Sequence, residues 1–137
     1  MDLRLRSRAV DGAVVLEVNG ELDLHSSPPL RAELLRLSEG ASPQIVVDLA
    51  GVSFIDSTGI GVLVGGLKKA RERGGKLVFC SPQPRVKRVF EITGLLQALP
   101  LYETRLKALS ALRAREAPET AENSPQNAGE ENSDVAR

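Results

Sequence analysis

Hydrophobic and polar residues alternate through the first eighteen positions, and the period then changes. Leu3 and Leu5 against Arg4 and Arg6 predict a half-buried strand over 3–8. Val14, Leu16 and Val18 predict a returning strand over 13–18, with Asp11-Gly12 as the turn between the two. Asn19-Gly20 predicts the end of that strand, followed by a short extended piece over 21–24. Leu30, Leu34, Leu35 and Leu37 then supply a helical stripe that stops at Gly40. Ser26 or Ser27 is placed to cap this helix, and Pro28 and Pro29 fall in its first turn, where a missing N–H does no harm.

Ile45, Val46, Val47 and Leu49 are nearly continuous, the pattern of a central strand over 44–49 buried on both faces. A helix is predicted over 57–73, closed by Gly74-Gly75, and a second buried strand over 76–80. Val86, Val89 and Phe90 against Arg85, Lys87 and Arg88 predict a helix over 82–92, stopped at Gly94. An edge strand over 99–101 and a last helix over 104–112 complete the pattern. Strands come first and then alternate with helices. The expected fold class is therefore α/β, with a mixed sheet of four to five strands packed with about four helices.

Composition narrows the function classes. Among 137 residues, hydrophobic ones make up 42% and aromatic ones 3%, so the core must be aliphatic. Eighteen Lys and Arg against 18 Asp and Glu give zero formal charge, which argues against a basic nucleic-acid binder. One cysteine gives no disulfide framework, and one cysteine with one histidine is too few ligands for zinc; no metal is expected. The first residues lack a signal-like apolar core, and no apolar run approaches a membrane span, so a cytoplasmic domain without membrane contact is expected. Charge is unevenly spread. Residues 116–137 hold six acids against Arg137, net −5, and residues 1–115 hold 17 bases and 12 acids, net +5. The expected division is a folded domain over 1–113 and an acidic, disordered, solubilising tail over 114–137.

The run S53-F-I-D-S-T-G-I-G-V62 carries the most information. It lies at a strand–loop–helix junction, where Asp56 or Ser57 can cap the helix by accepting from an orphan N–H. A hydroxyl at that position also faces the positive end of the helix dipole, so the fold would tolerate a phosphate there. Such a group would bring about −1.5 to −2 charges to the surface, a switch that does not need unfolding. At about 100° per residue, Ile60, Leu63, Val64, Leu67 and Ala70 are expected to face the core. Thr58, Gly61, Val62, Gly65 and Lys69 are expected on the opposite face. Glycine inside a helix costs roughly 0.8–1 kcal/mol relative to alanine. Either a docking partner or another helix of the same domain lies over that smooth strip.

Enzyme readings fail on the motifs. Val64 stands where a dinucleotide fingerprint starting at Gly59 needs its third glycine, and there is no GxxxxGK[ST] loop. Ser57 is not flanked as a G-x-S-x-G nucleophile, and His25 is the only histidine available to a triad. Cys80 is expected to be a small buried apolar residue.

Four motifs in order, G20-E-L-D23, S53-F-I-D-S-T-G-I-G-V62, K76-L-V-F-C80, and V86-K-R-V-F90 with I92-T-G-L95, resemble the STAS-domain anti-sigma factor antagonists of bacteria. The resemblance runs over residues 3–112 and leaves the acidic tail outside. It implies the STAS fold and a partner-switching role in transcription regulation, without catalysis or cofactor. In such a cycle the unphosphorylated antagonist binds an anti-sigma factor that is a serine kinase and so frees the sigma factor. Phosphorylation of the antagonist ends that binding, and a PP2C-type phosphatase resets it. Carried onto this chain, Ser57 is the phosphoacceptor, with Thr58 as the alternative, and Asp23 resembles the acidic contact to the kinase. Asp56 shapes the loop, while Thr58, Gly59, Gly61 and Val62 line the docking surface. Other STAS domains are subunits of lipid-transport ABC systems or of stress-sensing assemblies, and they remain the alternative.

Overall fold

The computed structural model describes residues 3–114; the acidic tail expected over 114–137 lies, apart from Ala114, outside the described residues. Five strands form one sheet in the order β1-β2-β3-β4-β5. They are β1 (Arg4–Val10), β2 (Ala13–Leu22), β3 (Gln44–Ile55), β4 (Lys76–Cys80) and β5 (Leu101–Tyr102). β1 and β2 are antiparallel and all other neighbours are parallel, which makes the sheet mixed, as expected. The four helices are α1 (Ser27–Leu37), α2 (Ser57–Glu72), α3 (Pro84–Ile92) and α4 (Arg105–Arg113).

The layers follow from strand alternation. Ile45, Val47 and Leu49 of β3 join Leu16, Val18, Leu77 and Phe79 in a core covered by α1, α2 and α3. Val46, with Val15, Val78 and Cys80, points the other way and is covered by Ala108, Leu109 and Leu112 of α4. The β1–β2 turn is the tight one that Asp11-Gly12 predicts, with φ of 52° and 81° and Val10 paired to Ala13.

Two strand boundaries differ from the sequence expectation for one reason. Asn19-Gly20 does not end β2, and 21–24 is not a separate piece: the strand passes through to Leu22 with register shifts between Glu17 and Asn19 and between Gly20 and Glu21. Gly20 absorbs the irregularity at a φ of 121°, a region that other residues avoid. β3 likewise continues six residues beyond Leu49, bent where Gly51 passes so close to Asn19 that a Cβ would strike it. Smaller shifts move the start of α3 from 82 to Pro84 and the edge strand from 99–101 to Leu101–Tyr102.

α4 is tied to the sheet by charge as well as by packing. The Arg105 guanidinium donates to Asp48 Oδ2 (Nε at 3.0 Å, Nη2 at 2.6 Å) and to Glu17 Oε2 (2.6 Å). Asp48 Oδ1 accepts from the Ala50 N–H at 2.9 Å, so this buried carboxylate has partners on both oxygens. The Arg105 hydrogen bond holds the Glu17 carboxyl below its ordinary value of 4.5. Arg105→Ala strips the cation from a buried acid, at an expected cost of about 1–3 kcal/mol, discounted because the Arg105 side chain is 32% exposed. A carboxyl with a depressed folded pKa contributes stability above its unfolded pKa and loses it as pH falls. Denaturant unfolding should therefore show the gap between wild type and Arg105→Ala narrowing below about pH 4.5; a gap that is constant with pH would exclude this role.

Cys80 is fully buried in β4, and burial pushes its thiol up to about 11. It should resist thiol reagents in native protein and react on unfolding. Fast labelling of the folded chain would contradict the packing.

Candidate functional site at the start of α2

β2 and β3 end side by side, with Leu22 paired to Ile55, so Asp23 and Asp56 leave the sheet as neighbours. The Asp56 N–H donates to the Leu22 carbonyl at 3.1 Å. Its side chain then uses both oxygens: Oδ1 accepts from Gly59 N–H (2.9 Å) and Oδ2 from Leu24 N–H (3.2 Å). Asp56 is thus the N-cap of α2 and also a clamp on the loop after β2.

Asp23 organises that loop. Its Oδ1 accepts from the N–H groups of His25 (3.0 Å) and Ser26 (2.9 Å). Ser26 reciprocates: its Oγ accepts from Asp23 N–H (2.9 Å) and donates to the Glu21 carbonyl (2.6 Å). Ser26 occupies the N-cap position of α1 but makes no side-chain cap; the exchange with Asp23 ties the turn before the helix instead. The backbone hydrogen bond from Ser26 is the main cause that lowers the Asp23 carboxyl below its usual value.

Ser57 is the first residue of α2 and is exposed; Thr58 is half-buried. Gly59 N–H is bonded to the Asp56 side chain and Ile60 N–H to the Asp56 carbonyl. Capping therefore does not depend on the Ser57 hydroxyl. Gly61 and Gly65 face open space, with no atom within 4 Å of where a Cβ would stand. No other helix of the described residues covers them.

Two residues expected on the docking face are elsewhere. Val62 is 2% exposed and belongs to the main core, and Gly59 is buried against Leu22 and Ile55. The helical projection errs because α1 packs beside α2 while the sheet lies beneath it. Gly66 meets Leu34 of α1, which draws the buried arc toward that side. Buried positions from Val62 round to Ile60 span about 160° at 100° per residue, leaving Val64 half-buried. The outward strip of α2 consists of Ser57, Thr58, Gly61 and Gly65, with Lys68 and Lys69 further on.

Sequence reasoning missed two apolar neighbours of this strip. Leu24, 61% exposed, is held to Asp56, and Phe54, 41% exposed, stands two positions before it. Both were legible as large apolar residues in or beside the quoted motifs; their exposure depends on the loop clamp and on the irregular end of β3. Leu24 and Phe54 therefore leave exposed apolar surface on the segments that adjoin Asp56 in the sequence and in the loop it clamps. Among the described residues no group of three His, Cys, Asp or Glu could hold a metal ion, and no helix is long and apolar enough to cross a membrane.

The start of α2 thus combines a cap made by Asp56, an exposed Ser57 hydroxyl that the cap does not use, and an uncovered strip at Gly61 and Gly65. The STAS domain family model matches residues 4–108. The chain is similar to the anti-sigma F factor antagonist of Paenibacillus polymyxa, 30% identical over 113 residues that cover 82% of this chain and 97% of that protein. A solved anti-sigma factor antagonist from Mycobacterium paratuberculosis has a TM-score of 0.74 at 30% identity, covering 81% of this chain and 94% of its own. The anti-sigma factor antagonist SpoIIAA of Bacillus is 26% identical in both its unphosphorylated and phosphorylated structures, with TM-scores of 0.68 and 0.61. The two cover 83% and 81% of this chain, and 100% and 99% of their own. The chain belongs to the STAS-domain family, and the relatives it resembles are regulators named as anti-sigma factor antagonists.

Proposed function

We propose that this chain is an anti-sigma factor antagonist switched by phosphorylation of Ser57. In its unphosphorylated form it binds an anti-sigma factor that is a serine kinase, and so releases the sigma factor. Transfer of the ATP γ-phosphoryl group to Ser57 Oγ ends the complex, and a PP2C-type phosphatase restores the hydroxyl by hydrolysis. The chain itself catalyses nothing; ATP and magnesium are held by the kinase.

The observation that carries this reading is the exposed Ser57 hydroxyl on a helix end capped by a different residue, Asp56. A phosphate there meets the positive end of α2 and leaves the cap intact. A partner that covers the start of α2, with Gly61 and Gly65 uncovered beside Ser57, and that fits a neutral serine would have to bury the added charge. Fold stability and partner affinity therefore respond differently to one modification. The Ser26 N–H bond that lowers the Asp23 carboxyl also fixes its place in the loop, which supports the reading of an acidic contact for the kinase. SpoIIAA, a relative known in both phosphorylation states, supports the same reading.

The test is a binding titration of the kinase with unphosphorylated and with stoichiometrically phosphorylated chain, alongside their melting temperatures. The expected result is a large loss of affinity with the melting temperature nearly unchanged. Equal affinities would instead favour a constitutive STAS interaction module, such as a transporter subunit or scaffold component.

A further inference from the structure

The chain leaves β4 and β5 toward opposite faces of the sheet. After β4, α3 packs Val86 and Phe90 into the main core with Leu77 and Phe79. After β5, α4 packs Ala108, Leu109 and Leu112 onto the other face, over Val78 and Cys80. The two strands are parallel neighbours, with Cys80 opposite Tyr102. In open α/β sheets such a divergence leaves a crevice outside the carboxyl ends of the strands, where small ligands bind.

A cavity of about 320 Å³ lies at this divergence. Pro82 borders it just past β4, and Leu101, Tyr102 and Glu103 border it where β5 ends. Lys87 of α3 and Leu96, from the segment between α3 and β5, complete the wall. The volume falls at the small end of ligand sites, which run about 300–1,000 Å³. Ser81, between Cys80 and Pro82, has a φ of 59° and donates its N–H to the Tyr102 carbonyl at 3.0 Å. A non-glycine residue in that region is uncommon, and here it turns the chain sharply at the rim of the cavity.

The charges on the lining do not cancel. Lys87 is exposed and, among the described residues, forms no ion pair, whereas the acid at the rim, Glu103, is matched by Lys107 at 3.3 Å. One uncompensated cation therefore stands beside the half-buried apolar side chains of Pro82, Leu96 and Leu101. We propose that this crevice binds a small amphipathic carboxylate, with its carboxyl group on Lys87 Nζ and its hydrocarbon body along Leu96 and Leu101. Two other cavities of the described residues fit such a ligand less well. One of about 180 Å³ is lined by Glu17, Asp48 and Arg105, whose charges already pair with one another. The other, beside Leu109 and Leu112, holds about 70 Å³. The Ser57 edge is a separate place, because β3 runs on from Asp48, the partner of Cys80, to Ile55 before α2 begins.

Octanoate titrated into the isotope-labelled full chain, followed through the amide shifts, tests the site. The shifts should saturate with half-occupancy at about 1 mM or below and centre on Lys87, Leu96 and 101–103. Lys87→Gln, at an exposed position outside both cores, should weaken binding about fivefold with the spectrum of the free chain otherwise unchanged. Acetate lacks the hydrocarbon body and octanol lacks the charge, so each should bind much more weakly than octanoate. Shifts that fail to saturate or centre on another surface, octanol binding as tightly as octanoate, or Lys87→Gln binding like wild type would overturn the proposal.

Discussion

Ser57→Asp is expected to weaken binding to the anti-sigma factor kinase about 100-fold, equivalent to about 2.7 kcal/mol, with no loss of thermal stability. The reason is where the charge goes. Asp56 caps α2 through Gly59 N–H, so the residue at 57 is not needed to close the helix. A carboxylate at the first helical position is favoured by the dipole by a few tenths of a kcal/mol up to about 1 kcal/mol. In the proposed complex the same charge is enclosed between the partner and the uncovered start of α2. An uncompensated charge at a dry contact costs several kcal/mol, far more than the dipole returns. Ser57→Ala is the matching control: phosphate acceptance disappears, and affinity stays within a few-fold because only a small hydroxyl is lost. Calorimetric titration with a thermal melt reads both quantities. A Ser57→Asp chain that melts well below wild type would make Ser57 structural and remove the basis of the switch.

The second large effect is expected inside the helix. A Cβ added at Gly59 would stand 2.7 Å from the Leu22 carbonyl oxygen, 2.7 Å from Leu22 Cγ and 3.0 Å from Ile55 Cγ1. The carbonyl cannot retreat freely, because it accepts the Asp56 N–H that joins the two strand ends. Gly59→Ala should therefore cost about 2–4 kcal/mol and lower the melting temperature by roughly 10 °C or more. Gly61 and Gly65 predict the reverse, since a methyl group there meets nothing. Alanine at either site should add up to about 1 kcal/mol of helix stability, and any loss it causes must appear in partner binding. A neutral Gly59→Ala would mean that α2 does not sit on the ends of β2 and β3.

These glycines also mark what can be read without coordinates. Periodicity identified every strand and helix near the site, because aliphatic residues separate the two core faces cleanly. It failed where irregularity sets the outcome. Gly20 and Gly51 look like strand breakers in one dimension, yet they let β2 and β3 run on as bulged strands to the edge where Asp23 and Asp56 meet. Val62 looked exposed because a helical projection treats the sheet as the only neighbour, and α1 widens the buried arc. The roles of Asp23 and Ser26 are local and follow ordinary capping chemistry, although which of them accepts from the helix turn depends on the backbone angles. Arg105 is 57 and 88 positions from the carboxylates it joins, a pairing that no local pattern contains.

The most direct test of the phospho-switch is intact mass after incubation with ATP and the anti-sigma factor kinase, followed by peptide mapping. The account predicts one added phosphate, located on Ser57 and absent from Ser57→Ala. An unmodified chain, or a phosphate on Thr58 that persists in Ser57→Ala, would contradict it.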